Sequence, residues 1–149
     1  FWGDVEKAFK VVAKYSDQVR TVGPLVFHAK GTVTLLRLPS GRELRYPYCN
    51  VRRTDNSIRW KYGHLWGGSI TENIVQSMCR DLLGFWILEC EKVGLPIIQH
   101  VHDDMTTMVP KEKQEESQTL LEKIMLTKPA WAEGFPLAVE SHISERYEK

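Results

Sequence analysis

Gln99-His100-Val101-His102-Asp103-Asp104 is the most polar stretch of an otherwise apolar region, with Ile97-Ile98 before it and Met105-Thr106-Thr107-Met108-Val109 after it. Adjacent carboxylates repel each other, so setting them among residues that favour burial is costly unless a cation is shared between them. Oxygen-rich sites of this kind favour Mg²⁺ or Mn²⁺. In two-metal phosphoryl transfer, carboxylates hold two ions about 4 Å apart, one activating the attacking oxygen and the other neutralising the leaving pyrophosphate. Asp103 and Asp104 have the chemistry for that role, although two carboxylates rarely suffice. The plainer reading is a hairpin whose turn is merely acidic. His100 and His102 alternate along the same run and would share a strand face, which raises a zinc site. No third nitrogen ligand has suitable spacing, since His28, His64 and His142 are scattered, so a zinc metallohydrolase is the third reading.

A second set of residues has the chemistry of nucleic-acid contact. Glu72, Gln76 and Arg80 recur every fourth residue, either as a solvated helix face or as a surface presented to DNA, with Gln76 donating to groove acceptors. Trp60, Tyr62 and Trp66 are interleaved with Arg52, Arg53, Arg59 and Lys61, a mixture that can stack on and track a strand, or else be core aromatics beneath a basic surface.

Regular elements must position these groups. Val5, Phe9, Val12 and Ala13 lie three or four apart among Glu6, Lys7, Lys10 and Lys14, which predicts an amphipathic helix from Trp2 to about Val19. Gly23-Pro24 breaks it. Thr32 to Leu38 and Glu43 to Tyr48, joined by Pro39-Ser40-Gly41-Arg42, predict a β-hairpin, and Ile58 to Tyr62 a further strand beyond the polar loop Arg52 to Ser57. Ser69-Ile70-Thr71-Glu72 has capping-box spacing and predicts the start of a long helix, with Ile70, Ile74, Met78, Leu82 and Phe85 on one side and Cys79 and Cys90 as small buried residues. Gly94-Leu95-Pro96 ends that helix. The acidic pair then falls at or beside a hairpin tip, Pro110 opens another helix, and Leu137 to Ser144 reads as a closing strand. The order α, β, β, β, long α, β, β, α, β suits an α+β fold with helices on one antiparallel sheet, a single domain over residues 1–149.

The 149 residues, 42% hydrophobic and 10% aromatic, exclude a disordered or fibrous chain. No run of about 18 apolar residues occurs, and the opening Phe1-Trp2-Gly3-Asp4 shows neither an initiator Met nor a basic-then-apolar leader. A processed or partial chain, soluble, cytoplasmic and without a membrane partner, is expected. Cys49, Cys79 and Cys90 form no CxxC pair, which fits a reducing compartment. The net charge of +1 conceals two opposed segments: residues 1–68 carry 12 Lys/Arg against 5 Asp/Glu, and residues 69–149 carry 8 against 14. A basic segment can follow a polyanion and an acidic one can hold cations; two ordinary solvated surfaces would look the same.

The string Gly67-Gly68-Ser69-Ile70-Thr71-Glu72-Asn73-Ile74-Val75-Gln76-Ser77-Met78-Cys79-Arg80-Asp81-Leu82-Leu83, followed by His100-Val101-His102-Asp103-Asp104 and by Pro129-Ala130-Trp131-Ala132-Glu133-Gly134-Phe135-Pro136-Leu137, closely resembles the C-terminal part of phage-type family A DNA polymerases, the DNA polymerase I group. The hairpin residues Leu38 to Arg42 and Tyr46-Pro47-Tyr48 also look like that group. The resemblance implies a palm-type antiparallel sheet packed on helices, one of them long and central. It implies that Asp103 binds the catalytic metals, two Mg²⁺ ions or Mn²⁺ in their place. Asp104 stands where the group has a glutamate, one methylene longer. His102 matches a histidine near the primer terminus, Gln76 a glutamine that contacts DNA near the primer end, and Glu72 a polar DNA-contacting position one turn earlier.

The group's first motif, whose aspartate is the other essential metal ligand, and its fingers helix for the incoming nucleotide match no segment here, and no Asp-Tyr-Ser string occurs. The expectation is therefore part of a template-directed DNA polymerase acting on primer–template DNA and dNTP in the phage or bacterial cell interior. The remaining polymerase segment would be supplied in cis or in trans. The alternative is a non-catalytic DNA-binding or assembly module with a palm fold.

Overall fold

Val5, Ala8, Phe9 and Val12 are buried, and that three-and-four spacing winds the first helix, α1 (Trp2–Lys14). The helix stops at Lys14 instead of near Val19 because Tyr15 adopts an extended backbone, φ −129° and ψ 94°, and the chain turns into a strand. The computed structural model describes residues 1–146. It confirms the α+β class, with 14 short and long elements of which three are α-helices, but the antiparallel pairing is spread over three separate sheets. The chain divides into two compact units, Phe1–Met78 and Cys79–Lys149.

In the first unit, β1 (Arg20–Val22), β2 (Leu25–Lys30), β3 (Val33–Arg37) and β4 (Glu43–Pro47) form a four-stranded antiparallel sheet in sequence order. The predicted hairpin is β3–β4; Gly23-Pro24 is the β1–β2 turn, with Gly23 at φ +55°. Cross-strand pairing lines up Phe27 with Leu36 and Leu36 with Leu44, giving the sheet one apolar face. A second sheet follows: β5 (Asn50–Val51), β6 (Ile58–Trp60) and β7 (Gly63–Leu65). Val51, Ile58 and Leu65 sit opposite one another, and Ile58 and Leu65 are buried in the core with α1 and the first sheet. The loop Arg52 to Ser57 closes on itself, Arg52 N–H donating to the Ser57 carbonyl at 3.0 Å and Asp55 accepting from Ser57 N–H at 3.1 Å. Ser57 Oγ also donates to the Asp55 carboxylate at 2.8 Å, and this bond, ahead of the one from Ser57 N–H, holds that carboxyl below its usual range.

The long helix, α2 (Gly67–Lys92), begins two residues before the predicted cap. Ile70 N–H donates to the Trp66 carbonyl, so Trp66 is the N-cap and Ser69 the third helical residue. Ser69 Oγ accepts from Trp66 N–H at 3.0 Å, the backward reach that a capping box assigns to glutamate. The next free donor, Gly67 N–H, is taken by Glu6 of α1 at 2.7 Å. Glu6 also pairs with Lys10 at 2.6 Å, and that partner chiefly holds its carboxyl below the ordinary range. A side chain at Gly67 would meet the Trp2 carbonyl oxygen at 2.6 Å, so the close α1–α2 approach needs glycine there. At the other end Gly94 at φ +75° closes a Schellman motif: its N–H donates to Glu91, the Leu95 N–H donates to Cys90, and Leu95 and Cys90 pack together in the same core.

The second unit has its own core of Leu82, Leu83, Trp86, Cys90, Leu95, Leu121, Ile124 and Ala132. Trp86 fills it and satisfies its indole N–H on the Thr127 carbonyl at 2.9 Å. Cys90 is buried as predicted; Cys79 is exposed, because it falls off the apolar side of α2. A two-stranded sheet, β8 (Ile97–Val101) and β9 (Asp104–Thr107), precedes a 3₁₀ turn at Lys111–Lys113 and then α3 (Gln114–Met125), so the predicted Pro110 helix starts later. The predicted closing strand Leu137 to Ser144 does not form. The segment alternates half-buried Leu137 and Val139 with exposed residues, but no described strand pairs with it. Polar contacts tie it down instead: Ser141 to Gln118 at 2.7 Å, and to Glu122. Among the described residues no helix is long and apolar enough to cross a membrane.

Candidate functional site

Val101 pairs with Asp104, which leaves His102 and Asp103 as a two-residue turn at the tip of the β8–β9 hairpin. His102 lies at φ +56°, the left-handed region, in the first turn position, where a two-residue hairpin favours glycine. A histidine there costs about 1–3 kcal/mol, and the surrounding structure must hold it. The base of the hairpin supplies that hold: Thr107 Oγ1 donates to the Pro96 carbonyl at 2.8 Å, and Ile97, Met105 and Val109 pack on the second core. His102, Asp103 and Asp104 are all exposed, so two consecutive carboxylates stand in water on an anchored ribbon. The turn also takes His102 off the strand, and it does not share a strand face with His100, contrary to the alternation read from the sequence.

Two carboxylates offer hard oxygen donors, the chemistry that Mg²⁺ and Mn²⁺ prefer. They leave most of an octahedral shell to other donors. Among the described residues no group of three or more His, Cys, Asp or Glu side chains is placed to hold a metal. The donor set thus fits an oxygen-loving cation in kind and is incomplete in number. Zinc would ask for nitrogen or sulfur donors brought together there, and the turn does not put His100 and His102 on one strand face.

The other predicted residues belong to the first unit. Glu72 and Gln76 are exposed on successive turns of α2. Gln76 lines a shallow cleft of about 280 Å³ between α2 and the edge strand β4, together with Leu44, Arg45, Tyr46, Asn73 and Ser77. Asn73 Nδ2 donates to the Tyr46 hydroxyl at 3.2 Å, and Arg42 reaches from the β3–β4 turn to the Ser77 carbonyl at 2.9 Å. Burial pushes the Tyr46 phenol up, so it stays protonated. Arg45 is exposed and makes no ion pair or hydrogen bond among the described residues, leaving its guanidinium available at the cleft. Sequence reasoning passed over Arg45 and Asn73. The signal was the alternation Glu43, Arg45, Pro47, but it identified no partner until α2 lay beside the strand. Glu72 and Gln76 fall in one compact unit, and His102, Asp103 and Asp104 in the other.

No family model matches the chain, and no solved structure matches it. The full length of the chain aligns with a curated protein described as a DNA polymerase, from Bacillus phage SP02, at 30% identity over 162 aligned residues. The chain spans 25% of the length of that relative. Along its whole length, then, the chain is similar to a quarter-length segment of a phage DNA polymerase.

Proposed function

We propose that the chain is the C-terminal palm portion of a family A, template-directed DNA polymerase and carries one part of its nucleotidyl-transfer centre. The observation that carries this reading is the Asp103-Asp104 pair at an anchored hairpin tip in a chain that matches a phage DNA polymerase throughout. The reaction transfers a nucleotide: the primer 3′-hydroxyl oxygen bonds to the α-phosphorus of a dNTP, the bond to the bridging oxygen breaks, and pyrophosphate leaves. Bound Mg²⁺ would polarise the phosphate oxygens and favour the deprotonated primer hydroxyl. Asp103 and Asp104 are the donors this chain offers to that ion, and the rest of its shell comes from outside these residues and from water. His102, fixed by the strained turn, stands beside the primer terminus. Gln76 donates its amide to a groove acceptor near the primer end, and Arg45 at the same cleft can pair with a backbone phosphate and fix the duplex in register. Glu72 borders that contact. Such a reaction draws its dNTPs from the bacterial cytoplasm.

A non-catalytic DNA-binding module is the second reading, favoured by the incomplete donor set. One assay separates the two. With primer–template, dNTPs and Mg²⁺, the 149-residue chain is expected to bind DNA and leave the primer unextended, while the full-length polymerase containing it extends the primer. Extension by the chain alone would contradict the partial centre, and a full-length protein that binds DNA without extending it would favour the module.

A further inference from the structure

The second sheet presents a row of polar side chains that the hairpin and the cleft do not use. Asn50, Arg59 and His64 are opposite one another in register across β5, β6 and β7, and all three are exposed, while in the alternate row Ile58 and Leu65 are buried in the core and Val51 is half-buried. The two-residue turn Lys61-Tyr62 closes β6 onto β7. Tyr62 is 68% exposed, yet it is not loose. Four rings run edge-on from the core to the surface: Phe9 on Tyr46 at 5.1 Å, Tyr46 on Trp60 at 5.4 Å, and Trp60 on Tyr62 at 4.9 Å. Lys61 lies over the Tyr62 ring at 5.0 Å. A second tyrosine, Tyr48, is 60% exposed and held at φ +57°, a left-handed conformation unusual for an aromatic residue. Its N–H donates to the Thr32 carbonyl at 2.8 Å, and Lys61 N–H donates to the Pro47 carbonyl at 3.1 Å, tying the Lys61-Tyr62 turn to the chain just before Tyr48.

Two displayed aromatic rings on a pre-ordered support, among cations, match the recognition chemistry of single-stranded nucleic acid: base faces stack on rings regardless of sequence, and phosphates follow the positive side chains. Between Arg45 and His64 there are five Arg/Lys and one acid, Asp55, which is already occupied by Ser57 and Arg52. A duplex hides its base faces and has less use for exposed rings. We propose that the Lys61-Tyr62 end of this sheet is a platform for single-stranded DNA, with Tyr62 and Tyr48 taking base faces and Lys61, together with Arg59 from the polar row, taking phosphates. It rests on the polymerase reading only for identifying that strand as unpaired template.

The test is fluorescence anisotropy of the 149-residue chain with a labelled oligothymidylate of about 20 nucleotides and with a blunt duplex of similar length. The Tyr48→Ala/Tyr62→Ala double variant is expected to bind the single strand at least about tenfold more weakly, with duplex binding changed less than about twofold. Tyr62→Phe keeps the ring and should bind as the parent does. Tyr48→Gly combined with Tyr62→Phe relieves the left-handed backbone and guards against loss through misfolding; it should fall between the two. Arg59→Ala should flatten the dependence of log affinity on log salt by about 0.7. Single-strand binding unchanged in the double variant, an equal loss on duplex, or no binding of oligothymidylate by the parent chain would each overturn the platform. Tyrosine-dependent single-strand binding that persists with a full-length protein unable to extend primers would uphold the platform and overturn the polymerase reading.

Discussion

Asp103→Ala is expected to reduce nucleotide incorporation by the full-length polymerase by roughly 10³- to 10⁵-fold, while its affinity for primer–template stays within about twofold. With Asp103 as the proposed ligand of an ion that would supply several kcal/mol of transition-state charge stabilisation, each 1.4 kcal/mol or so is a factor of ten. The selectivity follows from position: Asp103 is exposed at a turn, its side chain supports no core, and the hairpin is held at its base by Thr107 and the apolar residues around it. A carboxylate also repels a phosphate backbone, so its loss does not weaken DNA binding. Quench-flow incorporation of a single nucleotide, with anisotropy on the same primer–template, checks both halves. Turnover within about tenfold of the parent enzyme would remove Asp103 from the centre.

Phe9→Ala has the largest expected effect on stability, a loss of about 3–5 kcal/mol in the first unit. Phe9 is fully buried between α1 and the first sheet, among Val5, Phe27, Leu36 and Ile58, and it is the inner member of the ring series that ends at Tyr62. Its removal leaves a cavity whose walls belong to several elements and cannot all collapse together. Urea unfolding followed by the intrinsic tryptophan signal should show the transition attributable to residues 1–78 moving to lower denaturant, with amide protection lost in α1, β2 and β3. A loss below about 1 kcal/mol would mean that the core is not organised around this ring.

Where local pattern and tertiary need agreed, the sequence was informative. The apolar stripe of α1, the Pro39-Ser40-Gly41-Arg42 turn and the glycine stop at Gly94 each follow from local geometry, and each stands where it was expected. The acidic hairpin was legible for the same reason, two β-rich runs around polar residues. Other features depend on partners distant in sequence. The start of α2 is set by Glu6, sixty-one residues away, and a Ser-x-x-Glu spacing cannot report a carboxylate arriving from another helix. β2 ends in Ala29 and Lys30, weak strand formers, and becomes a strand because Leu25 and Phe27 are buried and the segment pairs with β3 along its length. Leu137 to Ser144 shows the converse, alternation with no described strand beside it. Of the candidate site, the hairpin around Asp103 and Asp104 was readable, whereas the left-handed turn at His102 and the cleft lined by Arg45 and Gln76 emerge only once strands and helix are placed.

A hairpin tip that binds the divalent cation of a DNA polymerase, as proposed, should be open to metal-directed backbone cleavage. In the full-length polymerase on primer–template, Fe²⁺ substituted for Mg²⁺ with ascorbate and peroxide generates hydroxyl radicals that cut the chain beside the bound ion. The expected result is a cut between Val101 and Met105 that excess Mg²⁺ suppresses and that Asp103→Ala eliminates. A hairpin left intact under conditions where the enzyme incorporates nucleotides and is cut elsewhere would contradict it.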